Sequence, residues 1–219
     1  MLYLIGLGLN EKGFSFETYD ILKKCGKIYL EEYTIEFPYK KELLEKAINN
    51  SKKEEIAILV YGSPLTATTH ISLLLELKKN KVEYQVIHNA SIVDAIAETG
   101  LQTYKFGKIT SMPTWQKGFK PESFIETIRE NQSINAHSLI LVDIGLEFGR
   151  ALEQLETAGK DKIMMDKIIV CSRLGTKEGK IFYDDIQNLM KKKVKAPYCI
   201  IIPSGLHFME QEFIENYAS

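Results

Sequence analysis

Six short segments hold the residues best suited to chemistry: Gly6 to Leu9, Gly62 to Thr66, His88 to Ile92, Val142 with Asp143, Arg173 with Leu174, and Pro203 to His207. They are made of glycine, proline, small hydroxyls and aliphatic side chains, with few titratable groups. Gly6 and Gly8, one residue apart after an apolar run, let the backbone come close to a ligand. Gly62 does the same in Tyr61-Gly62-Ser63-Pro64, where Pro64 fixes the turn. No nucleophile and base stand at motif spacing: G-x-S-x-G, H-E-x-x-H and G-x-x-x-x-G-K-[ST] are all absent from the sequence. The four histidines, at 70, 88, 137 and 207, have no ligand spacing, and each reads more readily as a structural group than as a catalytic one. Cys25, Cys171 and Cys199 are distant from one another and mostly set in apolar runs, which marks buried free thiols rather than disulfides or metal ligands. Such segments suit a bulky, partly apolar cofactor that carries the reactive group itself, with the protein supplying position rather than acid and base.

The elements that must position these segments are strands. Leu2 to Ile5 and Ile56 to Val60 run apolar without alternation, the pattern of strands covered on both faces inside a mostly parallel sheet. Each ends at one of the glycine turns, at the carboxyl edge where such sheets bind ligands. After Pro64 the sequence LTATTHISLLLELKK carries apolar residues at helical spacing, which predicts a helix with Thr66, Thr68, Thr69 and His70 crowded into its first turn. Helices are also expected at FETYDILKKC, stopped by Gly26, and from Pro38 through YKKELLEKAINN. The strand VEYQVIH leads through Asn89 into VDAIAETG, with Ser91 as N-cap and Gly100 as terminator. Four strand-helix repeats imply a parallel sheet with right-handed crossovers.

The pattern changes at about residue 104, where Gly107, Pro113, Gly118 and Pro121 punctuate the chain. Two domains are therefore expected, 1–104 and 105–219, both α/β, the first largely parallel and the second mixed. The second holds a strand near Lys108 to Met112, a loop carrying the only tryptophan, Trp115, a helix ESFIETIREN, the strand SLILVDI, a helix EFGRALEQLE, the strand KIIVCSRLG with a hairpin partner EGKIFYDDI, the strand YCIIIPSGLH and a terminal amphipathic helix. Charged residues make up 26% of the 219 residues, hydrophobic ones 45%, and the net charge is −1. That balance describes a globular protein with no global attraction to nucleic acid or anionic membrane. No apolar run approaches a membrane span and no leader precedes the first strand, so the expected location is the cytoplasm.

Taken together, GLGL after the first strand, YG-x-PL-x-ATTH, HNASI followed by TGLQTYKFGK, LVDI, SRLG and PSGLH resemble the diphthine synthases, methyltransferases of the tetrapyrrole-methylase superfamily. The matches keep the family's order from residue 1 to about 207. The resemblance implies two α/β domains with S-adenosylmethionine in the cleft between them, usually in a homodimer. It also implies the substrate, a modified histidine on translation elongation factor 2 whose amino group is methylated during diphthamide synthesis. Carried over by motif, the cofactor-binding positions are Leu9, Ser63, Thr66, Ser91, Ile92, Val142, Leu174 and His207; the resemblance assigns no catalytic residue and no metal. Ser63 departs from the family, which has Asp in a Gly-Asp-Pro turn, and the segments after Tyr33 and after Asp143 are shorter than usual. Three alternatives stay open: a non-catalytic relative that binds the elongation factor, a methylase of tetrapyrroles or RNA, and a nicotinamide oxidoreductase. The neutral charge argues mildly against RNA. Glu11, standing where the third glycine of a dinucleotide loop belongs, argues against the oxidoreductase.

Overall fold

A computed structural model describes residues 1–31 and 47–218. It divides into two compact units, Met1–Ala95 and Ile96–Ser219. The helix expected from Pro38 falls mostly outside the described residues; residues 47–50 are helical.

The first unit is built on four strands, β1 (Leu2–Gly6), β2 (Lys27–Leu30), β3 (Ile56–Val60) and β4 (Tyr84–Ile87), in the order β2-β3-β1-β4. Every pairing is parallel, with Leu2 beside Ile56 and Tyr84. All five residues of β1 are buried, which is why its sequence does not alternate. Leu2 and Leu4 pack with Ile56, Ile58, Leu73 and Leu77 on one face of the sheet, while Tyr3 and Ile5 pack with Ile21, Ala57 and Ile87 on the other. Helix α1 (Phe16–Leu22) starts at Ser15, whose hydroxyl accepts from Thr18 N–H.

The helix after β3, α2, spans Ile71–Lys79. The threonines assigned to its first turn lie instead in an irregular loop, and its physical cause is local. Ala67 takes a left-handed φ of 54°. The Thr68 hydroxyl donates to the Pro64 carbonyl at 3.1 Å and accepts from His70 N–H at 3.3 Å, and His70 Nδ1 lies 3.0 Å from both Pro64 O and Thr68 Oγ1. These side-chain bonds take the backbone partners that a helical turn would use. After β4 the short helix α3 (Ile92–Ala95) closes the first unit.

The second unit begins with two 3₁₀ turns, Ile96–Thr99 and Thr103–Lys105. Its strands are β5 (Thr110–Met112), β6 (Ser138–Val142), β7 (Ile168–Ser172), β8 (Lys180–Asp184) and β9 (Tyr198–Ile202), in the order β5-β6-β9-β7-β8. Only β5 with β6 is parallel; β9 is antiparallel to both neighbours, and β7 with β8 forms the expected antiparallel pair. Helices α4 (Ser123–Ser133) and α5 (Phe148–Gly159) contribute Phe124, Ile128, Leu152 and Leu155 to a core that includes Ile140, Val170 and Ile200. Helices α6 (Ile186–Leu189) and α7 (Phe208–Ile214) complete the unit. Cys171 and Cys199 face each other across β7 and β9 as buried free thiols, and Cys25 is a half-buried one. Among the described residues, no helix is long and apolar enough to cross a membrane.

Candidate functional site

In the first unit the exits of β1, β3 and β4 are tied into one surface. Leu7 N–H donates to Val60 O at 2.8 Å, and Gly8 and Gly62 exchange backbone bonds at 3.2 and 2.8 Å. The Tyr61 hydroxyl donates to Leu9 O at 3.1 Å. Asn89 supplies the third connection: its amide donates to Gly6 O and to Gly13 O, both at 3.0 Å, while its side-chain oxygen accepts from Ala90 N–H at 2.8 Å. Gly6 admits no side chain, since a Cβ there would stand 2.6 Å from Gly62 O and 2.9 Å from Pro64. Gly62 is the opposite case. Its φ is +74°, and a Cβ would meet nothing closer than Ala90 O at 3.8 Å, so the backbone is bare on that side and a ligand can approach it closely.

Five of the expected cofactor positions lie on these exits. Leu9, Thr66 and Ile92 are half-buried, and Ser63 and Ser91 are buried. Ser63 O accepts from Thr66 N–H at 3.3 Å. The Ser91 hydroxyl is committed to capping: it accepts from Val93 N–H at 3.1 Å, and the Ser91 hydroxyl and N–H both reach Asp94. The Ser91 carbonyl is committed as well, accepting from Asp94 N–H and Ala95 N–H, both at 3.1 Å. The open space beside Gly62, whose own N–H and carbonyl are paired with Gly8, and the aliphatic and small polar side chains around it suit the close approach of an adenosyl ring.

The other three positions lie in the second unit. Val142 is half-buried at the end of β6, and Leu174, 4% exposed, follows Arg173, whose φ is +51°. Arg173 is fastened by its N–H to Pro197 O at 2.9 Å and its Nε to Ala196 O at 2.8 Å. Because β9 runs against β6, with Ile202 beside Ser138, Pro203 to His207 leaves next to the amino end of β6, whereas Val142 ends β6 and Leu174 lies just past the carboxyl end of β7. The mixed sheet thus has no single carboxyl edge. His207 is exposed and caps α7, its Nδ1 accepting from Met209 N–H at 3.4 Å.

Sequence reasoning missed the residues that hold these segments. Asn89 is one. The others form a buried ionic cluster in the second unit: Glu210 and His137 have fully buried side chains, and Lys105 is 21% exposed. Burial works to raise the Glu210 carboxyl, but Lys105, the N–H groups of Gln102 and His207, and His137 outweigh it and hold its pKa at about 2. Burial also pushes His137 below the ordinary histidine value, against the opposing pull of Glu210. Trp115, expected in a loop, is pinned there: its N–H donates to Gln154 at 3.0 Å, its indole donates to Pro121 O at 3.1 Å, and its ring packs against the core. No group of His, Cys, Asp and Glu among the described residues could hold a metal ion.

Glycine-lined strand exits over a parallel sheet, joined to a mixed-sheet unit, define a two-unit α/β ligand-binding protein, and comparison with known proteins gives the class. The model of the tetrapyrrole (corrin/porphyrin) methylases matches residues 1–189, and the chain belongs to this family. Within it, the chain is 36% identical to the diphthine synthase of Methanococcus aeolicus, over 98% of this chain and 97% of the relative. It is 32% identical to the diphthine methyl ester synthase of Schizosaccharomyces pombe, over 100% and 94%. A crystal structure of diphthine synthase superposes with a TM-score of 0.87 at 27% identity, covering 100% of this chain and 96% of that one. The chain is a methyltransferase of the diphthine synthase group, with a methyl donor of the S-adenosylmethionine type.

Proposed function

We propose that this protein transfers methyl groups from S-adenosylmethionine to the amino group of the modified histidine of translation elongation factor 2, as a step of diphthamide biosynthesis. The observation that carries the reading is similarity to diphthine synthases along essentially the whole chain, together with the bare backbone at Gly62. The cofactor candidates remain Leu9, Ser63, Thr66, Ser91 and Ile92 in the first unit and Val142, Leu174 and His207 in the second. A tetrapyrrole or RNA acceptor is not favoured, because the relatives matched over full length carry diphthine names.

When bound, the cofactor supplies an electrophilic methyl group on a sulfonium sulfur. The chain's own task is alignment. In the first unit Leu9 and Ile92 give apolar wall, and the fixed loops at Gly8, Gly62 and Asn89 hold backbone groups in place without reorganisation. The acceptor amine attacks only as its neutral form, so water or a weak base suffices to take its proton and a strongly perturbed general base is not required. We further propose that the enzyme works as a cytoplasmic homodimer, which light scattering on the purified protein checks.

The deciding experiment incubates the protein with S-adenosylmethionine and elongation factor 2 carrying the unmethylated precursor, then weighs the modified peptide. Stepwise addition of methyl mass to that one residue is expected, and the final count separates a diphthine product from its methyl ester. Calorimetry showing no binding of S-adenosylmethionine or its demethylated product would overturn the reading.

A further inference from the structure

The segment Ser204 to His207 is held by three side chains, two from distant parts of the unit, His137 and Lys105, and one, Glu210, from the first turn of α7. Ser204 N–H donates to His137 Nδ1 at 3.0 Å. Gly205 O accepts from Lys105 Nζ at 2.7 Å. His207 N–H donates to Glu210 Oε2 at 2.7 Å. The three holders are themselves joined: Glu210 bonds to Lys105 through one oxygen, and through the other to His137 Nε2 at 3.2 Å and to Gln102 N–H at 2.9 Å. Since Nδ1 of His137 accepts, its proton sits on Nε2 and points at Glu210, so the imidazole is neutral and its tautomer is set by the network. Two backbone bonds, His137 N–H to Lys105 O and Gly107 N–H to His137 O, both 2.9 Å, lock the holders in register.

A helix cap alone does not account for this arrangement. The Glu210 side chain has no exposure, and a carboxylate out of water is tolerated only when its lone pairs and charge are fully met. Here four donors meet them, and the balancing cation, Lys105, comes from 105 residues away in sequence. Among the described residues, the only segment bonded to all three members is Ser204 to His207.

We propose that Lys105, Glu210 and His137 are positioning residues for methyl-donor binding: they fix the backbone of Ser204 to His207 so that His207 meets the cofactor in a preset geometry. This rests on the reading of His207 as a cofactor contact. Lys105→Met removes the cation and the bond to Gly205 O at a partly exposed site, leaving the other three donors on Glu210. Calorimetry with S-adenosylhomocysteine should show affinity weakened by about tenfold, the scale of one charge-assisted hydrogen bond. In steady state the KM for S-adenosylmethionine should rise by a similar factor with kcat nearly unchanged, and Lys105→Arg should restore most of the loss. A folded Lys105→Met protein with wild-type affinity, or one with a lower Tm and unchanged affinity, overturns the positioning role. Should Lys105→Met fail to fold, Glu210→Gln and His137→Gln carry the same test. Wild-type binding and His207→Ala are measured alongside. A wild-type chain that does not bind, or a His207→Ala variant that binds normally, defeats the cofactor reading itself, whereas binding that depends on His207 and ignores Lys105 defeats this inference alone.

Discussion

Asn89 offers the sharpest test of the strand-exit surface, because both identities of its amide are dictated by partners that cannot change role. Gly6 O and Gly13 O can only accept and Ala90 N–H can only donate, so the nitrogen faces the two carbonyls and the oxygen faces the amide. Asn89→Ala deletes all three bonds. The partly buried bond to Gly6 O contributes about 1–1.5 kcal/mol and the exposed ones about 0.5 kcal/mol each, since water replaces them. The sum, about 2 kcal/mol, corresponds to a fall in Tm of roughly 4–8 °C for a chain of this size, and affinity for S-adenosylhomocysteine should weaken because the Gly6-to-Gly13 loop loses its tether. Asn89→Asp keeps the acceptor for Ala90 but sets a carboxylate oxygen against two carbonyl oxygens. It should therefore be worse than alanine at pH 7 by about 1–3 kcal/mol, the cost of an unsatisfied acceptor. The gap should narrow near pH 4, where protonation returns a donor. Scanning calorimetry on both variants at the two pH values decides the matter: an Asp variant as stable as the Ala variant at pH 7 refutes the assignment of the amide and the tethering role built on it.

Ser63→Asp restores the family's carboxylate in a buried turn and should tighten S-adenosylmethionine binding by about tenfold, the difference between a neutral and a charged hydrogen bond; unchanged or weaker affinity in calorimetry removes Ser63 from that role. Trp115→Ala vacates a ring packed against the second core and should cost about 2 kcal/mol, read as a Tm lower by roughly 4–8 °C with cofactor affinity of the folded protein unchanged. The carboxyl of Glu210, held down to about 2 from 4.5, contributes on the order of 3 kcal/mol. A depressed folded-state value gives stability that is complete above the unfolded pKa and lost as pH falls toward the folded one. His137, also depressed, acts in the same direction from about pH 6.5 downward. Urea unfolding should thus show stability falling steadily between pH 6 and about 2, and Glu210→Gln should flatten the part below pH 5.

The strands with both faces covered were open to reading because the cause is local: when all of Leu2 to Ile5, and all of Ile56 to Val60 but the half-buried Leu59, are buried, no alternation survives in the sequence. The onset of α2 was misjudged for a related reason. Leu73, Leu74 and Leu77 set a helical period that looks extendable back through the threonines, and nothing in that period reveals that Thr68 bonds to Pro64. The glycine turns were found because glycine is itself the signal. The residues that anchor those turns were not, because their roles depend on partners distant in sequence: Asn89 reaches Gly6 across 83 positions, and Glu210 reaches Gln102 across 108. An asparagine or glutamate with a distant partner looks, in one dimension, like any surface residue. The facing of Cys171 and Cys199 was hidden in the same way, since it depends on the register of β9.

The two sheets differ in when they can be completed as the chain leaves the ribosome. In the first unit β1 is made before the other three strands and lies inside the sheet, between β3 and β4, so β3 and β4 each add to an edge that already exists, and β2 alone waits for β3. In the second, the last strand made is the central one: β9 joins β6 to β7. Until Tyr198 to Ile202 emerges, β5-β6 and β7-β8 are separate pieces, each with an apolar strand edge unpaired, the kind of edge that invites aggregation. The interval between the synthesis of β8 and the pairing of β9 is therefore the one in which the second sheet is most exposed to misassembly. A premature stop before codon 198 should yield a chain whose first unit is folded and whose second is a target for proteolysis.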